Sequence, residues 1–225
     1  MHVPDGLMDP LLLVGGWALA VLFIGLAIRR TGVRTDRRMV PFMGLLAAAI
    51  FAVQMLNFPI GGGTSGHMVG AALAGFLLGP WAGMIVISSV LIVQCLMFGD
   101  GGITALGLNF VNMALLGCLI GAYLPKMFPR RWKLSGVFAA SWTAVFVGSL
   151  ACAGELALSH TFSGGAYGIS GTIAFPTMLV SHTVIGVGEA LITTAAVHSL
   201  MKAFPEIKEG RMPLVWKAKG GAPDA

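Results

Sequence analysis

The first two residues, Met1 and His2, carry three nitrogen donors that a single metal ion could bind together. The α-amine of Met1 and the backbone nitrogen of His2 would close a five-membered chelate ring. That backbone nitrogen and Nδ1 of the His2 ring would close a six-membered one, so covalent geometry alone makes the three nitrogens nearly coplanar. One more nitrogen would complete a square-planar site, which suits Ni(II) or Cu(II).

The second histidine along the chain, His67, is the candidate for the fourth nitrogen. It follows a glycine-rich segment that reads Gly-Gly-Gly-Thr-Ser-Gly over residues 61–66. The chelate also requires a free amine. Residues 1–10 lack the positive charge that begins a secretory signal peptide, so we expect Met1 to be the mature terminus. We also expect Met1 to be retained, because the bulky His2 should block its removal.

The composition is that of a helical membrane protein. Hydrophobic residues make up 56% of the chain and charged residues only 10%, against about 25% charged residues in an average soluble protein. The mean hydropathy is +0.87, and long apolar runs recur along the chain. The net charge of +5 is therefore loop charge that sets membrane topology and does not indicate a nucleic-acid partner.

Seven apolar runs predict an all-α protein with seven transmembrane helices. Residues 1–200 form one membrane domain, and residues 201–225 form a polar C-terminal tail. The predicted spans are 11–28, 40–57, 67–79, 81–98, 103–123, 135–158 and 173–198.

The basic residues predict the orientation of these helices. All 14 lysines and arginines lie after the first run, between the fifth and sixth runs, or after the seventh. With seven crossings these three segments share one side, which the positive-inside rule makes the cytoplasm. The C-terminus is then cytoplasmic, whereas Met1, His2 and His67 share the outer face.

The third run is too short to cross a membrane as a helix. Its 13 residues reach about 20 Å, against a hydrocarbon core near 30 Å. We therefore expect the glycine-rich segment before it to be a re-entrant loop that places His67 near the top of a short helix, capped by Thr64 or Ser65.

Polar residues inside or beside the runs concentrate at the predicted outer face. Each could form an ordinary interhelical hydrogen bond, but the one-sided clustering favours a polar shell around the metal ligands. The candidates for this shell are Asp5, Asn57, Thr64, Ser65, Asp100 and Asn109.

Two further groups of residues have other interpretations. Glu155, His182 and Glu189 lie within runs, where ionisable groups are costly, so a stand-alone secondary ion transporter that uses them as a relay is an alternative of a different class. The second run carries Gly44, Ala48 and Ala52 at four-residue spacing. Such small residues either pack internally or form a docking face for a partner membrane subunit.

Motifs for ATP binding and for hydrolysis are absent. No GxxxxGK[ST] phosphate loop occurs, so we expect the chain to bind no ATP by that device. No HExxH or GxSxG motif occurs either, which argues against an intramembrane enzyme.

The segments Met-His-Val-Pro-Asp-Gly at residues 1–6 and Gly-Gly-Thr-Ser-Gly-His at residues 62–67 resemble the NikM/CbiM family. These proteins are the substrate-binding (S) components of energy-coupling-factor (ECF) transporters for nickel or cobalt. The resemblance continues through residues 54–59, 78–81 and 100–107. It implies seven transmembrane helices in a prokaryotic inner membrane, and a metal held by the terminal amine, the His2 amide and ring, and the His67 ring.

The resemblance also implies partners and a substrate. The partners are a transmembrane coupling (T) protein, two ATP-binding-cassette ATPases that supply ATP hydrolysis, and a small accessory membrane subunit. Members of the cobalt branch often begin His-Ile-Met-Glu-Gly, whereas residues 2–6 here read His-Val-Pro-Asp-Gly. The sequence thus favours Ni²⁺ as the transported substrate, with Co²⁺ uptake for cobalamin biosynthesis through the same site as the alternative.

Overall fold

The computed structural model describes residues 1–32, 39–60 and 64–204, apart from the side chains of residues 58, 60, 64 and 65. Most of the predicted tail, from residue 205 onward, lies outside this part of the chain. The same is true of the basic residues between positions 33 and 38.

Seven helices follow the seven apolar runs in order, which confirms the all-helical class. The last turn of α4 and the middle of α5 are π-helical, over Gln94–Phe98 and Phe110–Leu115. The helices across the described residues are α1 Pro10–Gly32, α2 Met39–Gln54, α3 Ala71–Leu78, α4 Pro80–Phe98, α5 Leu106–Met127, α6 Lys133–Phe162 and α7 Gly171–Ala203.

Five of these helices are long and apolar enough to cross a membrane, namely α1, α4, α5, α6 and α7. The helix α2 has 16 residues and α3 only 8. At 1.5 Å per residue, α3 rises about 12 Å, well short of a bilayer core. The chain is a multi-pass membrane protein, while seven crossings and their orientation stay predictions.

The segment before α3 is partly regular. Strand β1, Phe58–Ile60, pairs antiparallel with β2, Thr64–Gly66, so that Phe58 lies opposite Gly66. His67 follows this hairpin and precedes Ala71, the first residue of α3. His67 thus lies near the start of this short helix, as predicted, although the helix begins four residues later than the predicted span 67–79.

The prediction that Thr64 or Ser65 caps α3 is wrong. The N-cap is Gly70, which has a positive φ of 69° and makes no side-chain cap. That conformation favours glycine. The backbone N–H groups at this helix start bond instead to Glu189 of α7. The side chains of Thr64 and Ser65 lie outside the described part of the structure.

Basic side chains gather at one end of the bundle. The Arg30 guanidinium, at the end of α1, lies 5.3 Å from the centre of the Trp81 ring at the start of α4. The Lys133 ammonium, at the start of α6, lies 5.7 Å from the Phe76 ring near the end of α3. These contacts place both basic residues at the end of α3 remote from His67.

Candidate metal centre

The two predicted ring ligands lie against each other. The imidazoles of His2 and His67 are stacked, with centroids 4.5 Å apart and an interplanar angle of 22°. Both residues are buried, at 3% and 2% exposure. The loop before α3 and the N-terminal segment therefore meet although 65 positions of sequence separate the two histidines.

The His67 ring has one nitrogen committed and one available. Its Nδ1 lies 2.7 Å from the carbonyl oxygen of Met68 and so carries the proton that it donates there. Its Nε2 is buried and has no hydrogen-bond partner among the described residues. Burial, together with the charges of the Met1 amine and His2, holds the pKa of His67 well below its usual value. The ring is therefore neutral, with a free lone pair on Nε2.

The Met1 amine is enclosed by protein. Burial is the main cause that lowers its pKa from 8.0 to about 6. The Met1 side chain enters a gap beside α6, where a Cβ on Gly148 would lie 3.2 Å from its sulfur. At neutral pH the amine is therefore mostly uncharged, which is the form that binds a metal.

Hydrogen bonds hold the N-terminal segment in place. Asn109 Oδ1 accepts from the Val3 backbone nitrogen at 2.8 Å, and its Nδ2 donates to the Val3 carbonyl at 3.2 Å. The Gly102 nitrogen donates to that carbonyl at 2.8 Å. Further along, the Gly168 nitrogen donates to the Leu7 carbonyl at 2.7 Å. The backbone around His2 is thus tied to α5 and to two loops.

Asp100 lies directly beside the His2 ring. Its Oδ1 is 3.2 Å from His2 Nδ1, and its Oδ2 accepts a hydrogen bond from Asn57 Nδ2 at 2.9 Å. Burial alone would raise the pKa of Asp100, but its contact with the His2 ring and the hydrogen bond from Asn57 outweigh burial and lower it. Because His2 Nδ1 faces this carboxylate, closing the six-membered chelate ring requires the imidazole to rotate about its Cβ–Cγ bond.

Asp5 braces the loop that carries Asp100. It accepts hydrogen bonds from the Thr104 hydroxyl and from the backbone nitrogens of Thr104 at 2.7 Å and Ile103 at 3.0 Å. These bonds, the hydroxyl's most of all, lower the pKa of Asp5. Gly101, with a φ of +87°, approaches the site closely. A Cβ there would lie 3.0 Å from Asn109 Nδ2 and 3.1 Å from His2 Cδ2.

The three residues that a secondary ion transporter would use as a relay each bind a different partner. Glu155 accepts a hydrogen bond from Asn112 Nδ2 at 2.7 Å, and His182 Nδ1 lies 2.8 Å from the Met178 carbonyl of its own helix. Glu189 accepts from backbone nitrogens just before α3. No described hydrogen bond links Glu155, His182 and Glu189 to one another.

Gly44, Ala48 and Ala52 lie on an exposed face of α2. A Cβ on Gly44 would meet nothing within 4 Å. The described helices therefore do not use this face for internal packing.

Two buried glutamines belong to the polar residues at the predicted outer ends of the second and fourth runs. Gln94 is fully buried in the π-helical turn that ends α4 and lies beside His2. Gln54 is fully buried at the end of α2, and its Nε2 donates to the Val69 carbonyl. A buried amide needs hydrogen-bond partners, and neither amide atom of Gln94 has one among the described residues.

The Met1 amine and the two imidazoles supply three nitrogens, so a four-nitrogen site also needs the backbone nitrogen of His2. Among the described residues, no three His, Cys, Asp or Glu side chains form a metal-binding group. The imidazoles of His2 and His67 are stacked, and the Met1 amine, on the residue before His2, is mostly uncharged at neutral pH. That donor set fits a square-planar ion better than a tetrahedral zinc site of side-chain ligands.

Comparison with known proteins identifies the family. Residues 2–207 match the CbiM family model, described as a cobalt uptake substrate-specific transmembrane region. A provisionally named fused nickel transport protein, NikMN of Archaeoglobus fulgidus, is 39% identical over 93% of this chain and 68% of its own length. The cobalt transport protein CbiM of Sorangium cellulosum is 32% identical over 99% of this chain and all of its own.

A solved structure has the same fold. The crystal structure of a transition metal transporter superposes with a TM-score of 0.80 at 31% identity, covering 98% of this chain and 100% of that chain. These matches confirm the resemblance seen in the N-terminal and glycine-rich segments. The chain therefore belongs to the CbiM family of substrate-specific transmembrane regions.

Proposed function

We propose that this chain is the substrate-binding component of an ATP-driven ECF importer and captures Ni²⁺, its transported substrate, at the outer face of the membrane. Four nitrogens hold the ion: the Met1 amine, the His2 amide and Nδ1, and His67 Nε2. The observation that carries this proposal is the contact of the His2 and His67 rings, with a buried, unpaired Nε2 on His67.

Each residue of the site has a defined task in binding. His67 keeps its proton on Nδ1 through the Met68 carbonyl and presents Nε2 to the ion. The His2 ring turns Nδ1 from Asp100 toward the amine, and its amide gives up a proton. Asn109 keeps the Val3 backbone in place during this exchange. The negative charge of Asp100 stays beside the bound dication.

The chain itself carries no catalysis. A transmembrane coupling protein and two ATPases supply ATP hydrolysis, and a small accessory membrane subunit completes the complex in the inner membrane of a prokaryote. The exposed stripe of Gly44, Ala48 and Ala52 on α2 supports a helix-docking face for one of these subunits. The basic end of the bundle faces the cytoplasm.

Nickel is the proposed substrate, with cobalt as the second candidate. The relative named for nickel transport is more similar to this chain than the CbiM named for cobalt transport, at 39% against 32% identity. Intrinsic affinity rises from Co(II) to Ni(II) to Cu(II), so the site binds copper tightly as well and metal availability decides what is carried.

The test is uptake of radioactive nickel by cells that lack other nickel importers. We expect the chain to support uptake only together with a coupling protein and ATPases, and the His67→Ala variant to support none. The opposite result is nickel uptake by the chain without partner proteins, unchanged in His67→Ala but lost in Glu189→Gln. That result would contradict this function and favour the ion relay.

A further inference from the structure

A buried carboxylate holds the segment that carries His67. Glu189 lies in the middle of α7 and is 1% exposed. Its two oxygens accept hydrogen bonds from the backbone nitrogens of Val69 at 2.8 Å and Gly70 at 2.7 Å. N–H groups at a helix start have no partner within the helix, so Glu189 supplies acceptors that these two groups would otherwise lack.

A second helix holds the same segment from another side. Gln54, at the end of α2, donates from Nε2 to the carbonyl oxygen of Val69 at 2.5 Å. The peptide groups around Val69 are therefore bound to α7 through their nitrogens and to α2 through an oxygen. Both polar side chains are buried, so water does not compete for these bonds.

Apolar packing beside the segment is incomplete. A cavity of about 210 Å³ separates α2 from α7 there. Met68 and Gly70 line the cavity together with Ile50 of α2 and Ile192 of α7. Ile50 lies against Gly70 and Val69 is buried in the apolar core. Apolar contacts therefore act on the segment as well, and the bonds from Glu189 and Gln54 fix the direction of its peptide groups.

His67 depends on this segment for the direction of its ring. It precedes Val69 by two positions, and its Nδ1 bonds to the carbonyl of Met68 between them. We propose that Glu189, supported by Gln54, is a positioning residue that holds His67 Nε2 where the ion binds. This inference rests on the proposed function and extends it from the ligands to the groups that place them.

The test compares metal binding by Glu189→Ala and Glu189→Gln with wild type and His67→Ala, all with a native N-terminus. Loss of a group that hydrogen-bonds a metal ligand weakens metal affinity about 10–100-fold. Glu189 acts on His67 through the backbone of Val69 and Gly70, so we expect Glu189→Ala to lower nickel affinity by about 10-fold, the lower end of that range. Its residual Cu(II) complex should show three nitrogen ligands by electron paramagnetic resonance, as in His67→Ala. Glu189→Gln retains one acceptor oxygen, so its nickel affinity should lie between those of Glu189→Ala and wild type.

A matched control separates positioning from general stability. Trp142→Phe removes another hydrogen bond of α7, from Trp142 Nε1 to the Thr183 carbonyl at 3.2 Å. It should lower the Tm while leaving nickel affinity and the four-nitrogen spectrum unchanged. Gln54→Met should weaken nickel binding less than Glu189→Ala, because it removes one hydrogen bond to the segment whereas Glu189→Ala removes two.

The inference is overturned if Glu189→Ala has a lowered Tm yet binds nickel with wild-type affinity and binds Cu(II) through four nitrogens. If the alanine variant does not fold, the same result for Glu189→Gln overturns it. Glu189 would then stabilise the fold alone, and the proposed function would stand. Absence of nickel and cobalt binding by the wild-type protein would overturn both the proposed function and this inference.

Discussion

Nδ1 of His2 lies 3.2 Å from Oδ1 of Asp100, so a carboxylate faces the nitrogen that the chelate needs. The other oxygen of Asp100 is bound by Asn57, which keeps the carboxylate in place when the His2 ring turns away. Asp100 thus orients the ring before binding and leaves a negative charge beside the ion afterwards.

Replacing Asp100 by asparagine should weaken nickel binding about 10-fold, in the range expected for an outer-shell partner. The shape of the side chain is kept, but its charge beside the dication is lost. Competition titration against a chelator of known affinity measures the effect. An unchanged or stronger affinity would show that Asp100 only competes with the metal for Nδ1.

Adding one residue before Met1 should abolish tight nickel binding. The extension converts the amine to an amide and pushes a new terminus into the buried space that Met1 fills beside Gly148. Metal content after size-exclusion chromatography measures the result. A folded, extended protein that holds one equivalent of nickel would contradict the terminal chelate.

Gly101→Ala should weaken nickel binding more than Gly99→Ala. Both glycines have positive φ values, +87° and +66°, so both substitutions strain the backbone. Only the Cβ at Gly101 meets neighbours, at 3.1 Å from His2 Cδ2, whereas nothing lies within 4 Å at Gly99. Parallel titrations of the two variants test this difference. Equal losses would mean that backbone strain, and not contact with His2, is responsible.

Nickel binding should respond to pH in two stages with a break near pH 6. The Met1 amine has a pKa lowered to about 6, so above that value it is already deprotonated and only the His2 amide loses a proton on binding. The logarithm of the apparent affinity should then rise by about one per pH unit above pH 6 and by about two below it. Titrations between pH 5 and 8.5 test this. A break near the ordinary amine value of 8.0 would contradict a buried amine.

The sequence predicted the helices and the approach of His2 to His67 because both follow from local rules. Apolar runs locate the helices. Crossing parity with basic loops predicts the two histidines on one face, and their stacked rings are consistent with that prediction. The start of α3 could not be located in this way, because Gly70 and its partner Glu189 are 119 positions apart. Side-chain pairing over such distances depends on how α7 packs and is not encoded in any local pattern.

The orientation of the His2 ring was likewise beyond sequence reasoning. Asp100 was a candidate for the polar shell, but its place at Nδ1 follows from the turn at the end of α4. That turn is π-helical, and apolar periodicity does not distinguish a π-turn from an α-turn.

The most direct test of this account is the metal content and visible absorption of the purified, untagged protein, loaded in turn with nickel and cobalt. We predict one equivalent of nickel with the yellow d–d band of a square-planar nitrogen site, and loss of that band in His67→Ala. A protein that binds neither metal, or binds nickel with the same band after His67→Ala, would contradict it.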